Sequence, residues 1–149
     1  MFFSDEFLAD DRKFKKLMTA MVSLTILLIL FSFCFGISTV KGSSMEPTLH
    51  EGDRYFVVKS PLVKEYEKGD IVFLHLPGSK KMIVKRIVAI PGDRVVLNSK
   101  KSIILKEDEV FLMGDNRGDS FDSRDFGPVK EKELKGKFIK KIFGRKASD

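Results

Sequence analysis

The chain is poor in residues that staple or ligate. It has a single Cys, so no internal disulfide can form, whatever the compartment. One Cys and two His fall short of the roughly four N or S ligands that a structural zinc site takes. Any catalysis must then come from a hydroxyl, an amine, a carboxylate or a lone imidazole, with no metal or other cofactor expected. Internal repeats and low-complexity tracts are missing. So are helix-turn-helix, zinc-finger and RNA-binding signatures, which argues against a nucleic-acid partner. Long uncharged runs are scarce too: there is one, which excludes a polytopic membrane protein. Hydrophobic residues nevertheless make up 43% of the chain, too many for an intrinsically disordered one.

That one run is the most conspicuous feature present. No Asp, Glu, Lys or Arg occurs between Lys16 and Lys41. Leu17 to Ile37 is its densest part, and a helix of about 20 apolar residues crosses a bilayer core. Ser23, Thr19 and Thr25 are tolerable there, because their hydroxyls can bond back to the helix backbone. The length of the run and its apolar residues on all faces weigh against a buried core helix, and a cleavable signal has a shorter apolar stretch of about 7–15 residues. The expectation is a retained anchor over 17–37, preceded by a cytoplasmic segment 1–16. Arg12, Lys13, Lys15 and Lys16 lie just before it, and Lys41, Arg54 and Lys59 are the nearest cations after it. That excess puts the N-terminus in the cytoplasm and residues 38–149 outside. The net charge of +6, from 27 Lys and Arg against 21 Asp and Glu, also suits an anionic lipid surface.

The outer part reads as strands and tight turns. Arg54–Lys59, Ile71–Leu76, Met82–Ile90, Arg94–Leu97, Ile103–Leu105, Val110–Met113 and Lys137–Phe143 are apolar or β-branched runs. Gly69-Asp70, Pro77-Gly78 and Pro91-Gly92-Asp93 punctuate them. The fold class expected is mainly β: one transmembrane helix, then a compact all-β domain of barrel or folded-sheet type. Gly114 to Pro128 is a long polar loop carrying both signs of charge, and such loops are commonly functional.

Two features could carry chemistry. Gly42-Ser43-Ser44-Met45-Glu46-Pro47-Thr48 could hold a serine on a turn, since Gly permits unusual backbone and Pro47 fixes the turn after it. Taken alone it reads more readily as a linker. Lys85 lies within MIVKRIVAI, sharing one strand face with Ile83 and Ile87 while Val84, Arg86 and Val88 share the other. An edge strand whose long side chains snorkel to water is the competing reading. Together the two features sharpen. A serine hydroxyl needs a base. Lysine in water has a pKa of about 10.4, and burial lowers it. Arg86 cannot serve, because a guanidinium stays protonated. A Ser–His–Asp triad through His75 is the rival, unsupported by spacing; His50, in a polar turn, is expected to face solvent.

These residues resemble the type I signal peptidases, membrane-anchored Ser–Lys proteases. Ser44-Met45-Glu46-Pro47-Thr48-Leu49 is similar to the nucleophile motif. Lys85-Arg86 through Pro91-Gly92-Asp93 is similar to the general-base motif. Gly114-Asp115-Asn116-Arg117 with Ser120, Asp122, Ser123 and Arg124 is similar to the last one. The resemblance implies Ser44 as nucleophile and Lys85 as base. It implies Ser120 as the hydroxyl that orients the amine. Asp122 and Arg124 become an ion pair holding the loop, with Asp115 in the same network. Val40, Met45, Leu49, Ile83 and Val84 fall where the family lines its substrate pockets for an A-x-A sequence. Its substrates are preproteins bearing signal peptides, cut at the outer face of the cell membrane. Gly42 departs from those members with a serine there, leaving the Ser44 N–H and other backbone groups for the oxyanion. The Gly form, the single anchor and the short domain resemble the Gram-positive branch. Another Ser–Lys protease, such as a self-cleaving SOS repressor, would carry a DNA-binding part and no anchor. An inactive tethered binding protein would not need both Ser44 and Lys85.

Overall fold

The computed structural model describes residues 5–98 and 101–143. Residues 1–4, in the expected cytoplasmic segment, and 99–100 and 144–149, in the expected outer domain, lie outside the described residues. The chain divides into two units, 1–33 and 34–149.

The first unit is helix α1, Asp5–Cys34. Within its span Asp11–Cys34, an 18-residue window has a mean hydropathy of 2.4, and none of that window is buried against protein. Inside this stretch Thr19 Oγ1 donates to Lys15 O and Thr25 Oγ1 to Met21 O, each at 2.9 Å, and Ser32 Oγ donates to Ile29 O at 2.8 Å. Hydroxyls bonded one turn back are hidden from an apolar surrounding. The helix is displaced from the expected 17–37 at both ends. It begins in the charged stretch, where Lys15 pairs with Asp11 at 2.7 Å, and it stops at Cys34.

Residues Phe35–Thr39 form strand β1 of the second unit. The reason is pairing: Phe35, Gly36 and Ile37 lie antiparallel to Val58, Val57 and Phe56. The remaining strands are β2 (Arg54–Lys59), β3 (Ile71–His75), β4 (Met82–Ala89), β5 (Arg94–Asn98), β6 (Lys101–Ile104), β7 (Glu109–Met113), β8 (Val129–Lys130) and β9 (Leu134–Phe143). Seven of them form one antiparallel sheet in the order β1-β2-β9-β3-β4-β7-β8, and β5-β6 is a separate ribbon. The sheet is open, with β1 and β8 at its edges, so the folded-sheet alternative holds and the closed barrel does not. Within the long loop, Ser123–Phe126 makes one turn of helix, α2.

Two buried clusters set the stage for the site. Val72, Leu74, Ile87, Val110, Leu112 and Leu134 fill the centre of the sheet. Val40, Met45, Leu49 and Tyr55 pack beneath the turn after β1, with Ile71, Val84 and Phe138 against them. β4 lies between β3 and β7, so it is an interior strand. Its alternation buries Lys85, Ile87 and Ala89. The edge-strand reading of Lys85 is thereby overturned: β4 has a neighbour on each side, and the Lys85 side chain is turned into the buried face it shares with Ile87 instead of out to water.

Candidate active site

The turn bearing Ser44 is a product of its local sequence. Gly42 has φ +85°, where a side chain would be strained. After it, Glu46 N–H donates to Ser43 O at 3.0 Å and Leu49 N–H to Met45 O at 2.9 Å. Met45 and Leu49, each 1% exposed, drop into the cluster beneath. Buried apolar residues on either side of a polar tip leave Ser44 at the top of the turn.

Lys85 is 3% exposed. Its cross-strand neighbour on β3 is Val72, which is fully buried. Burial pushes the Lys85 pKa below the ordinary lysine value. Asp122 draws it back up, Arg124 and Lys81 push it down, and Asp119 raises it. Ser44 and Lys85 open onto one cleft of about 490 Å³. Val40, Met45, Ile83 and Val84 line it as well. Leu49 does not: it is wholly core, a correction to its expected place in a substrate pocket.

The loop after β7 embraces both residues. Asn116 N–H donates to Ser44 O at 3.1 Å, and Asn116 Nδ2 to Ser43 O at 3.3 Å. A Cβ at Gly114 would collide with Ser44 O and Ser120 Oγ, so only glycine lets the loop lie this close. Asp122 is fully buried. It accepts from Gly114 N–H (3.0 Å), Ser120 Oγ (2.8 Å), Arg124 Nε (2.9 Å), Arg124 Nη2 (3.0 Å) and Arg124 N–H (3.2 Å). Burial alone would raise its pKa, but the Arg124 guanidinium, the Gly114 N–H and the Ser120 hydroxyl outweigh that and hold it down at about 2. Its own N–H is capped by Asp125 at 2.9 Å, and Ser123 Oγ accepts from Leu112 N–H on β7 at 3.0 Å. The expected Asp122–Arg124 ion pair is therefore present and anchored to the sheet.

Two expected partnerships differ. Asp115 does not join Asp122 and Arg124. It takes both Arg86 Nε (2.8 Å) and Arg86 Nη2 (2.6 Å), because the residue after Lys85 points to the opposite face of β4. That guanidinium also donates to Gly69 O at 2.8 Å and Thr48 Oγ1 at 3.4 Å, tying the loop to the segment that bears Ser44. The Arg86 hydrogen bonds hold the Asp115 carboxyl below its usual pKa against its partial burial. Ser120, expected on the Lys85 amine, gives its proton to Asp122 instead, a carboxylate being the stronger acceptor.

The histidines stand apart. His75 is exposed, its Nδ1 3.1 Å from Lys80 O. His50 is half-buried, contrary to the solvent-facing expectation: its backbone N–H donates to the buried Asp53 at 3.2 Å, and its ring Nδ1 lies 3.8 Å from the same carboxylate oxygen. Neither lines the cleft. Sequence reasoning passed over two contacts: the Asn116 clamp, and a hydrogen bond from Ser43 Oγ to Asp119 Oδ2 at 2.7 Å. The only hint of the second was the density of charge in the loop. Among the described residues, no group of three or more His, Cys, Asp or Glu converges as metal ligands would.

Comparison with known proteins agrees with this geometry. The family described as "Signal peptidase, peptidase S26" matches residues 13–106 and 96–143. The chain is 31% identical to Signal peptidase I of Bacillus licheniformis, over 77% of this chain and 80% of that one. It is 37% identical to Signal peptidase I S of Bacillus subtilis, over 73% and 62%. It is 32% identical to Mitochondrial inner membrane protease subunit 1 of Schizosaccharomyces pombe, over 74% and 75%. A match running from the helix to the last strand, with relatives that share most of their length, makes this chain a member of the peptidase S26 family and a signal peptidase I hydrolase.

Proposed function

We propose that Ser44 is the nucleophile and Lys85 the general base of a membrane-anchored endopeptidase that removes signal peptides after an A-x-A-type site. The observation that carries this reading is a lysine buried on an interior strand, its ammonium disfavoured, opening onto the same cleft as the turn-mounted serine. A neutral Lys85 amine takes the Ser44 Oγ proton as the hydroxyl attacks the scissile carbonyl. The lysine then gives that proton to the leaving amine, and the signal peptide remains as an ester on Ser44. Water, deprotonated by Lys85, hydrolyses the ester.

The hydroxyl of Ser120 supports the assignment. Its single proton is committed to Asp122, so toward an amine it can only accept. Lys85 can then donate an N–H to Ser120 while its lone pair stays available for Ser44. Ser44 N–H, unbonded among the described residues, serves the oxyanion. Val40, Met45, Ile83 and Val84 form shallow apolar walls that admit an alanine and exclude larger side chains by overlap.

Helix α1 is long and apolar enough to serve as the anchor. The lysines and arginines before it support a cytoplasmic N-terminus and an extracytoplasmic catalytic domain. On β1 and β9, the strands that flank β2, Ile37, Ile139, Ile142 and Phe143 are each more than half exposed. Such residues beside Lys140 suit contact with an anionic lipid surface. The test is cleavage of a precursor bearing an A-x-A site by the detergent-solubilised full chain. Ser44→Ala and Lys85→Ala should abolish cleavage while His75→Ala retains it; a dead His75→Ala beside an active Lys85→Ala would replace the dyad with a histidine mechanism.

A further inference from the structure

The direction of the Ser44 N–H is not set by Ser44. In a trans peptide the C=O and N–H point to opposite sides of one plane. Whatever holds the Ser43 carbonyl therefore aims the Ser44 amide. Three contacts bear on Ser43. Its carbonyl accepts from Glu46 N–H at 3.0 Å and from Asn116 Nδ2 at 3.3 Å, and its hydroxyl donates to Asp119 Oδ2 at 2.7 Å. Asp119 is itself fixed in the loop, its N–H donating to Asn116 O at 3.1 Å. On the other side of Ser43 stands Gly42 at φ +85°, with no atom within 4 Å of where a Cβ would sit. The turn has a freely rotating residue before Ser43 and no side-chain donor there to supplement the oxyanion site. Beyond the Glu46 N–H of the turn itself, the constraint on Ser43 comes from the loop, through Asn116 and Asp119.

We propose that Asp119 is a positioning residue for acyl transfer: by accepting the Ser43 hydroxyl it holds the Ser43–Ser44 peptide with the Ser44 N–H turned toward the oxyanion. This rests on the reading of Ser44 and Lys85 given above. Asp119 is exposed at the cleft rim, so the bond contributes little to folding and its worth is geometric. The Asp119 carboxylate is also one of four charged groups that face Lys85, with Asp122, Arg124 and Lys81. That makes its two effects separable, since Ser43→Ala breaks the hydrogen bond and leaves every charge in place.

The experiment measures kcat, KM, pH profile and thermal midpoint for the full chain in detergent. It compares wild type, Ser43→Ala, Asp119→Ala, Asp119→Asn and the Ser43→Ala/Asp119→Ala double variant. Ser43→Ala and Asp119→Ala should each lower kcat roughly tenfold with KM changed less than about twofold, as expected for a misaimed oxyanion donor. The double variant should be no slower than the slower single one, because both remove the same bond. Asp119→Asn keeps an acceptor oxygen and should recover most of kcat. Its acid limb should move to lower pH, whereas that of Ser43→Ala stays put. Thermal midpoints should agree within about 2 °C, well inside the shift that 1 kcal/mol brings. Wild-type kcat in Ser43→Ala, or losses that multiply in the double variant, would overturn the proposal. Ser44→Ala run alongside separates the two levels: residual cleavage there sinks the dyad itself, while a dead Ser44→Ala beside a fully active Ser43→Ala sinks only the role of Asp119.

Discussion

Lys85 and Asp122 are both buried, both charged in water, and near enough for the aspartate to act on the lysine, yet the fold treats them oppositely. Asp122 receives five hydrogen bonds, and its carboxylate is held ionised down to about 2. Lys85, among the described residues, receives no such partner, and burial drives it toward the neutral amine. Burial penalises any charge; the supply of oriented donors or acceptors decides whether the charge survives. One residue is a structural rivet and the other the base proposed above, because of what surrounds each and not because of how deep each lies.

The comparison can be broken most severely at the lysine. Lys85→Met keeps the shape and removes the amine. Cleavage should fall at least about 10³-fold, as when a general base is deleted. Stability to urea should rise by about 1–2 kcal/mol at pH 6, because an unsupported buried amine is gone. Linkage gives the sign with pH. The native lysine pKa lies below the unfolded one, so the unfolded chain binds more protons and wild-type stability climbs with pH toward 10.5. The advantage of the Met variant should therefore shrink as pH rises. A Met variant less stable than wild type at pH 6 would mean that Lys85 is supported in a way the contacts do not reveal.

At the aspartate the effect should be smaller and fall on stability. Asp122→Asn leaves Arg124 without its anion and turns an amide toward donors, at a cost of about 3 kcal/mol. Here the native pKa lies below the unfolded one for an acid. The contribution is fully present above 3.8 and is lost as pH falls toward about 2. Denaturant midpoints should thus decline over that window in wild type and stay flatter in the variant. The slightest effect is expected at Lys81, an exposed lysine on the cleft wall that pushes the Lys85 pKa down. Lys81→Gln should move the acid limb of the rate profile to higher pH, and the displacement should fade in high salt. A shift to lower pH would reverse the electrostatics described for the site.

Much of the fold and of the site is legible in the sequence. β2 is read at its true bounds because RYFVVK is bounded by the polar HEGD before it and by Ser60-Pro61 after it, and the alternation in MIVKRIVAI puts Lys85 with Ile87. The residues that mislead share a cause, which is that their partners are remote in sequence. Phe35–Ile37 are as apolar as the helix before them, and only pairing with β2 makes them strand. Leu49 looks like a pocket residue until Ile71, Val84 and Phe138 pack against its cluster. The pairing of Asp115 with Arg86 depends on which strand faces meet, and a linear motif does not encode that; Ser120 is the exception, its partner Asp122 being two residues on. Ser43, one position from the proposed nucleophile, carries no periodicity or spacing that would single it out.

The order β1-β2-β9-β3-β4-β7-β8 has a consequence for timing. Ser44 comes after β1, and Lys85 rides on β4; through the sheet these two ladders are joined solely by β9, the latest of the described strands to leave the ribosome. A nascent chain can hold alcohol and amine on unconnected ribbons until that strand slots between β2 and β3. If the proposed dyad carries the chemistry, proteolytic competence arrives only once β9 has joined the two halves of the sheet.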